Sequence, residues 1–354
     1  MSLGRDLLRQ YQTPPALKQL TKAYREGRIK SEDNIIRENI EYPSEEDFLV
    51  LPEKGTDEYK ALFNKGMESI NNGELAVVIL NGGMATRFGG AVKGIVEVFD
   101  EKSFLQLKIA DTIKISSEIK YFIMNSFSTA EKTRKHFDDN NWFGVPGKIR
   151  MFNQYIAQRI EEDGTEFLPE DGSFYGPGHG DFPYALRSSG LLDEFLSSGG
   201  KYIFYSNVDN LGARVDPAIL GVHMQNDIEL TSEVAVKSSG DEGGAPALVN
   251  GRLQIVEGFC FPDDFDQSKI PVFNCSTYWL TAESLKKEFD LPWYLVKKKV
   301  DDRTIVQFEH LAGDMTKYFS TVFLKVLRNE RFFPIKRPED LEENREQLRK
   351  LLMN

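Results

Sequence analysis

Leu80-Asn81-Gly82-Gly83-Met84-Ala85-Thr86-Arg87-Phe88-Gly89-Gly90-Ala91-Val92-Lys93-Gly94 includes the end of Ala76–Leu80, a short uncharged run rich in β-formers. Five glycines between Asn81 and Gly94 let a ligand approach the backbone closely and offer its N–H groups to phosphate oxygens. Arg87 and Lys93 add the positive charge that a triphosphate needs. The stretch is not a Walker A loop, because no Gly-Lys-Ser/Thr follows at the required spacing, and it lacks the Gly-x-Gly-x-x-Gly dinucleotide fingerprint. An ordinary glycine-rich turn is the competing reading, and the two cations weigh against it.

Outward from this turn, residues 104–119 read as a helix, and Tyr121–Ser126 and Lys201–Asn207 as further short apolar strands, each following a helical stretch. Strands alternating with helices imply right-handed crossovers and a mostly parallel sheet. Ligands of such sheets sit beyond the C-terminal strand ends. Residues 231–280 carry more strand signals and Gly turns, including Gly243-Gly244 and Asn250-Gly251, and fit an antiparallel extension. Before the core, apolar residues such as Leu7, Leu17, Leu20 and Tyr24 recur at helical intervals, and Pro43-Ser44-Glu45-Glu46-Asp47 resembles a helix start. The expected organisation is a helical extension over 1–72, an α/β core over 73–336 and a C-terminal helix over 337–354, opened by Pro338.

The chain has 354 residues, with 44 Lys+Arg against 55 Asp+Glu and a net charge of −11. That balance argues against electrostatically driven nucleic-acid binding. Any phosphorylated ligand must be held by local cations and backbone N–H groups against an unfavourable overall field. Apolar runs of about five residues fall far short of the ~20 that a membrane helix needs. Two cysteines, Cys260 and Cys275, and no charged-then-apolar leader pattern lead to the expectation of a soluble, cytoplasmic protein without disulfides.

Other stretches offer polar chemistry. Pro177-Gly178-His179-Gly180-Asp181 is a tight turn whose backbone and imidazole can both face a ligand, or a surface turn capped by Asp181. Asp209 lies just past an apolar strand, where a carboxylate commonly holds a hard divalent cation against phosphates, and equally where an Asp caps a turn. Lys237, Gly243-Gly244, Glu257 and Phe273-Asn274 suit a polar pocket. Arg331-Phe332-Phe333-Pro334-Ile335-Lys336 sets a lysine behind a rigid proline. The histidines are scattered, and no Cys/His spacing suggests zinc.

Taken together, Leu-Asn-Gly-Gly-x-x-Thr-x-x-Gly…Lys-Gly at 80–94, Phe152-Asn153-Gln154, Pro177–Asp181, Ser206-Asn207-Val208-Asp209-Asn210-Leu211-Gly212 and Phe333–Lys336 resemble the eukaryotic-type UDP-sugar pyrophosphorylases, in that family's order. The Pro-Gly-His-Gly-Asp and Ser-Asn-x-Asp-Asn-Leu-Gly strings resemble its UTP–glucose-1-phosphate branch. The resemblance implies a Rossmann-like, glycosyltransferase-A-like nucleotidyltransferase with a mixed, mostly parallel sheet, acting on UTP and a sugar 1-phosphate with Mg²⁺. It implies that Leu80 and Asn81 bind the nucleotide and that Gly82, Gly83, Thr86 and Arg87 surround the triphosphate, with Lys93 neutralising it; Arg87, Lys93 and Lys336 would be the catalytic cations. Gln154 and Gly178 would read the uracil, and His179 would lie near the α-phosphate. Asp209 would ligate Mg²⁺ and Lys336 would touch the reacting phosphates, while Asn207, Gly244, Glu257 and Asn274 line the sugar pocket. Arg87, Val92 and the missing second Asn after Phe273-Asn274 depart from the glucose pattern and leave the sugar open, an N-acetylhexosamine or a broad range of sugars being the alternative. The chain ends soon after Lys336, leaving no room for the C-terminal β-helix domain of many relatives, so the resemblance does not carry over oligomerisation through that domain and leaves the oligomeric state open. A UDP-sugar binder without turnover and a nicotinamide-dependent dehydrogenase are the readings from other classes.

Overall fold

A computed structural model describes residues 2–85, 90–168, 173–238, 241, 243–300 and 302–353. Its centre is an eight-stranded sheet: β1 (Phe48–Val50), β2 (Leu75–Asn81), β3 (Lys120–Asn125), β4 (Ile149–Asn153), β5 (Tyr202–Asn207), β6 (Leu230–Val236), β7 (Val272–Thr281) and β8 (Thr321–Val326). Across the sheet the order is β1-β8-β6-β7-β5-β2-β3-β4. Neighbours run parallel except where β7 lies antiparallel between β6 and β5, so one strand opposes the other seven. The sheet is mixed and mostly parallel, as the alternation of strands and helices predicts.

β2 shows why a sheet forms here. All seven of its residues are buried, as a central strand covered on both faces requires. Alternation sends Leu75, Val77 and Ile79 into a layer with Phe104, Leu105 and Ile109 of helix Phe104–Ile113. Ala76, Val78 and Leu80 pack instead with Phe182, Leu186 and Leu192, from the short helices Phe182–Ser188 and Leu191–Ser197. Ser103 starts the first of these helices by accepting from the Gln106 N–H at 3.2 Å. Helices Asp57–Asn71 and Pro217–Gln225 and the C-terminal helix Pro338–Met353 contribute Leu62, Ile219 and Leu348 to the first layer.

From β2 the chain steps outward through β3 to β4, then returns to lay β5 on the other side of β2. The turns that leave β2 and β5 therefore diverge at a topological switch point, where open α/β sheets bind ligands.

The expected helical extension over 1–72 is corrected. Helices Ser2–Gln10, Leu17–Arg25 and Asp57–Asn71 are present, but Ser44 caps only a single 3₁₀ turn, Glu45–Asp47. The chain then becomes β1, whose Phe48, Leu49 and Val50 pair with Phe323, Leu324 and Lys325. Ile40 and Glu41 also pair, with Val249 and Leu248 of the hairpin Ala245–Val249/Arg252–Val256. Acids at the first turn favoured a helix locally, whereas the apolar Phe48 gains more by burial at the sheet edge. Among the described residues no helix is long and apolar enough to cross a membrane.

Candidate active site

At the switch point, the ends of β2 and β5 open into a cavity of about 390 Å³ lined by Leu80, Gly82, Gly83, Lys93, Met124, Gln154, Gly176, Gly178, His179, Asn207, Val208 and Asp209. Nine of these were anticipated as site residues: Leu80, Gly82, Gly83, Lys93, Gln154, Gly178, His179, Asn207 and Asp209. They come from four separate segments.

Two of them touch. Lys93, at the start of the 3₁₀ turn Lys93–Ile95, sets its Nζ 2.9 Å from Oδ2 of Asp209, on the turn after β5. An ammonium and a carboxylate, both partly open to the cavity, face the space where an anionic ligand would lie.

The Asp209 turn is tied on every side. Val208 N–H donates to the Leu80 carbonyl at 3.1 Å and Ile335 N–H to the Asp209 carbonyl at 3.0 Å. Asn210 Oδ1 accepts from Gly212 N–H at 3.1 Å and Phe333 N–H at 2.8 Å, and its Nδ2 donates to the Arg331 carbonyl at 3.3 Å. Arg331 is itself held by Glu233 of β6 through a buried fork, Nε to Oε2 at 3.0 Å and Nη2 to Oε1 at 2.5 Å. Trp279 Nε1–H adds a third bond to that carboxylate at 2.9 Å. Lys108 also donates to the carbonyls of Asn210 and Ala213, at 2.7 and 3.0 Å. Burial pushes the Lys108 ammonium down to about 7, against the pull of Asp209 and Asp111.

His179 projects from a turn that only glycine can enter: Gly178 has φ +106°, and a Cβ there would lie 2.4 Å from the His310 carbonyl oxygen. Ala312 N–H donates to His179 Nδ1 at 2.9 Å. Nδ1 therefore accepts, and the neutral ring carries its proton on Nε2. Burial, then the charge of His310, holds the ring's pKa down to about 4, so it stays a neutral donor at physiological pH. His310 laces the turn, donating its N–H to the Pro177 carbonyl and accepting from Gly180 N–H, each at 2.9 Å. Its Nε2 lies 2.5 Å from Oδ1 of Asp181, which also accepts from Tyr155 N–H at 3.0 Å through Oδ2.

Gln154 continues past β4, and its amide fills the gap between two glycines. A Cβ on Gly176 would fall 1.5 Å from Gln154 Nε2, and one on Gly82 2.7 Å from its Oε1. Any side chain at residue 176 would expel the amide.

Other expected residues stand elsewhere. The Asn81 side chain does not line the cavity: strand alternation turns it into the core, where it donates to Asn125 Oδ1 at 2.9 Å and Thr133 Oγ1 at 2.8 Å. Lys336 follows Ile335, so its backbone adjoins the Asp209 turn, while its side chain is exposed and does not line the cavity. Thr86 and Arg87 lie outside the described residues. Glu257 borders a separate cavity of about 350 Å³ with Lys237, Asp241, Gly243 and Gln267. A Cβ on Gly244 would lie 3.1 Å from Glu257 Oε1. Asn274 is buried, and its amide is used internally, donating to Tyr278 Oη at 2.7 Å and accepting from Ser276 N–H at 3.0 Å. Burial, and then the charge of Asp314, pushes the Glu257 carboxyl up to about 7.

Sequence reasoning missed Lys108, Glu233, Arg331 and His310. Lys108 alone left a trace, a lysine amid the apolar residues Phe104, Leu105, Leu107 and Ile109. A cavity of about 330 Å³ at the other end of β5, by Tyr202 and His223, carries less chemistry. There both ring nitrogens of His223 are occupied by the Thr231 and Thr281 hydroxyls.

A family model described as UTP–glucose-1-phosphate uridylyltransferase matches residues 17–352. The chain belongs to that family. A UTP–glucose-1-phosphate uridylyltransferase 2 of Dictyostelium discoideum is 32% identical over 290 residues, 76% of this chain and 57% of its own length. A UTP–glucose-1-phosphate uridylyltransferase of Encephalitozoon cuniculi is 31% identical over 332 residues, 87% of this chain and 64% of its own. The chain thus spans less than two thirds of either family member. Among solved structures, a putative UDP-N-acetylglucosamine pyrophosphorylase from Entamoeba histolytica superposes with a TM-score of 0.76 at 21% identity, covering 88% of both chains. A UDP-glucose phosphorylase from Trypanosoma brucei gives 0.74 at 24% identity, over 91% of this chain and 72% of that one. These likenesses establish the shared fold.

Replacing Arg331 by Met strands Glu233 as a buried charge, with an expected loss of about 3–5 kcal/mol in urea unfolding that Glu233→Gln partly restores in the double variant. Glu257 gives a second test. Between its ordinary 4.5 and about 7 the folded chain holds a proton that the unfolded chain has released, so this group lowers stability as pH rises through that window. Glu257→Gln is expected to melt higher than the unaltered chain at pH 8 and alike at pH 4.5, read by calorimetry.

Proposed function

We propose that this chain transfers the uridylyl group of UTP to glucose 1-phosphate, releasing pyrophosphate and forming UDP-glucose, with Mg²⁺. One observation carries the reading: a single cavity at the switch point is faced by the glycine turn, the Lys93–Asp209 pair, a neutral imidazole donor and the Gln154 amide. Family membership and the names of the relatives support the choice of substrates. The reading also assigns the protein to the cytoplasm, in keeping with the free, buried Cys260 and Cys275.

In this proposal the Gln154 amide pairs with the uracil edge, and the Gly82–Gly83 backbone lies along the phosphates. His179 Nε2–H donates to an α-phosphate oxygen. The sugar extends from Asn207 toward the cavity bordered by Glu257. An oxygen of the sugar phosphate attacks the α-phosphorus in line, and the bond to the bridging oxygen breaks, leaving its electron pair on pyrophosphate. The nucleophile is already an anion, so no strong base is required. Positioning and charge stabilisation carry the acceleration. Lys93 turns from Asp209 to the incoming triphosphate and offsets the charge that builds on it.

Asp209 suits Mg²⁺ as the protein's oxygen donor. It is a single carboxylate open to the cavity, and the described residues hold no group of three or more His, Cys, Asp or Glu able to enclose a metal. Such a site fits an ion that keeps several waters and binds mainly through substrate phosphates. When bound, Mg²⁺ supplies Lewis-acid neutralisation of phosphate oxygens.

Pyrophosphate release from UTP with a panel of sugar 1-phosphates tests the proposal, with glucose expected to lead. Preference for N-acetylglucosamine 1-phosphate would replace the sugar assignment, and no release with any sugar would leave a binder. In the same assay Lys93→Ala is expected to slow turnover by about 10²–10³-fold, the scale of a lost oxyanion donor. Asp209→Asn should shift the Mg²⁺ titration to much higher concentration, and an unchanged titration would remove Asp209 as the ligand.

A further inference from the structure

Lys108 is 6% exposed, on a helix whose neighbouring residues are apolar and buried. A buried ammonium is costly unless fully hydrogen-bonded. Here it is directed at backbone oxygens: its two hydrogen bonds go to the Asn210 and Ala213 carbonyls, on either side of the Leu211–Gly212 bend. The nearest acid on its own helix, Asp111, is taken by a forked ion pair to Arg214, at 2.8 and 2.7 Å. That pairing leaves the lysine to the turn rather than to its helical neighbour. With Ile335 N–H on the Asp209 carbonyl and Lys108 on the next one, the peptides on both sides of the carboxylate-bearing turn are pinned.

We propose that Lys108 is a positioning residue for this site: by holding the Asn210 and Ala213 carbonyls from beneath, it fixes the direction in which Asp209 presents its carboxylate to a metal–nucleotide complex. This rests on the reading of Asp209 as the metal's oxygen donor. Without Lys108 the Ala213 carbonyl loses its donor and the Asn210 carbonyl keeps only the long bond from Ala213 N–H at 3.3 Å, so the turn gains freedom to swing. Ligand-orienting groups of this kind typically alter metal affinity by about 10–100-fold when removed.

The test is Lys108→Met, which keeps the chain length and packing but donates nothing. Mn²⁺ affinity in the presence of UTP, read by electron paramagnetic resonance, is expected to weaken by about 10–100-fold. Affinity for UTP without metal, read by calorimetry, is expected to stay unchanged, and hydrogen exchange across residues 207–213 to quicken. If Lys108→Met does not fold, Lys108→Gln, whose amide still offers N–H donors, is measured instead and is expected to show a smaller loss in the same direction. A variant that melts lower yet binds Mn²⁺ with UTP as the unaltered chain does, with unchanged exchange at 207–213, overturns the proposal. An unaltered chain that binds no Mn²⁺ with UTP overturns the reading of Asp209 instead.

Discussion

A strand buried on both faces has no wet side, so its polar chain ends must be satisfied where it leaves the sheet. β2 and β5 are such strands, side by side and parallel, and both emerge at the same edge. Their exit turns go opposite ways, which opens a gap lined by backbone amides and by whatever side chains the turns carry. The Lys93–Asp209 contact spans that gap. The two residues are 116 positions apart in sequence and meet because one hydrophobic sheet brings two strand ends together.

Behind the gap the protein spends an unusual amount of buried charge. Glu233 and Arg331 form one ion pair in the interior, and Lys108 brings a further cation to the same turn. Such groups are poor contributors to stability compared with apolar packing. What they provide is direction. Each ends, directly or through Asn210, on the backbone that carries Asp209. The histidine turn follows the same pattern, with His310 and Asp181 inside and His179 facing the cavity.

The core order was legible because burial writes itself into sequence. The uncharged run before Asn81 and the helical stretch from residue 104 had to be central strand and cover. The cavity-facing residues were legible because they sit in short motifs at strand exits, where glycine and charge occur together. Asn81 shows what a motif string does not tell: it belongs to the same string as Gly82, but period-two alternation sends its side chain to the opposite layer, toward Asn125 and Thr133. Of the supporting charges, only Lys108 showed in the sequence, as a lysine among apolar residues. Glu233 and Arg331 are 98 residues apart, and neither has a local pattern that announces a partner. Residues 40–50 misled for a different reason, since three acids at a turn look like a helix start whether or not a helix follows.

Because Phe48–Val50 is the outermost strand of the central sheet, the first part of the chain is not a detachable arm. β1 is only three residues long, and Pro52, two positions beyond it, has no N–H with which to extend a ladder. It is a short finishing strip that ends the row of pairing groups on β8. Trimming the protein at residue 72, as a modular reading of its sequence would invite, would strip that finish and leave β8 open to pairing with another molecule.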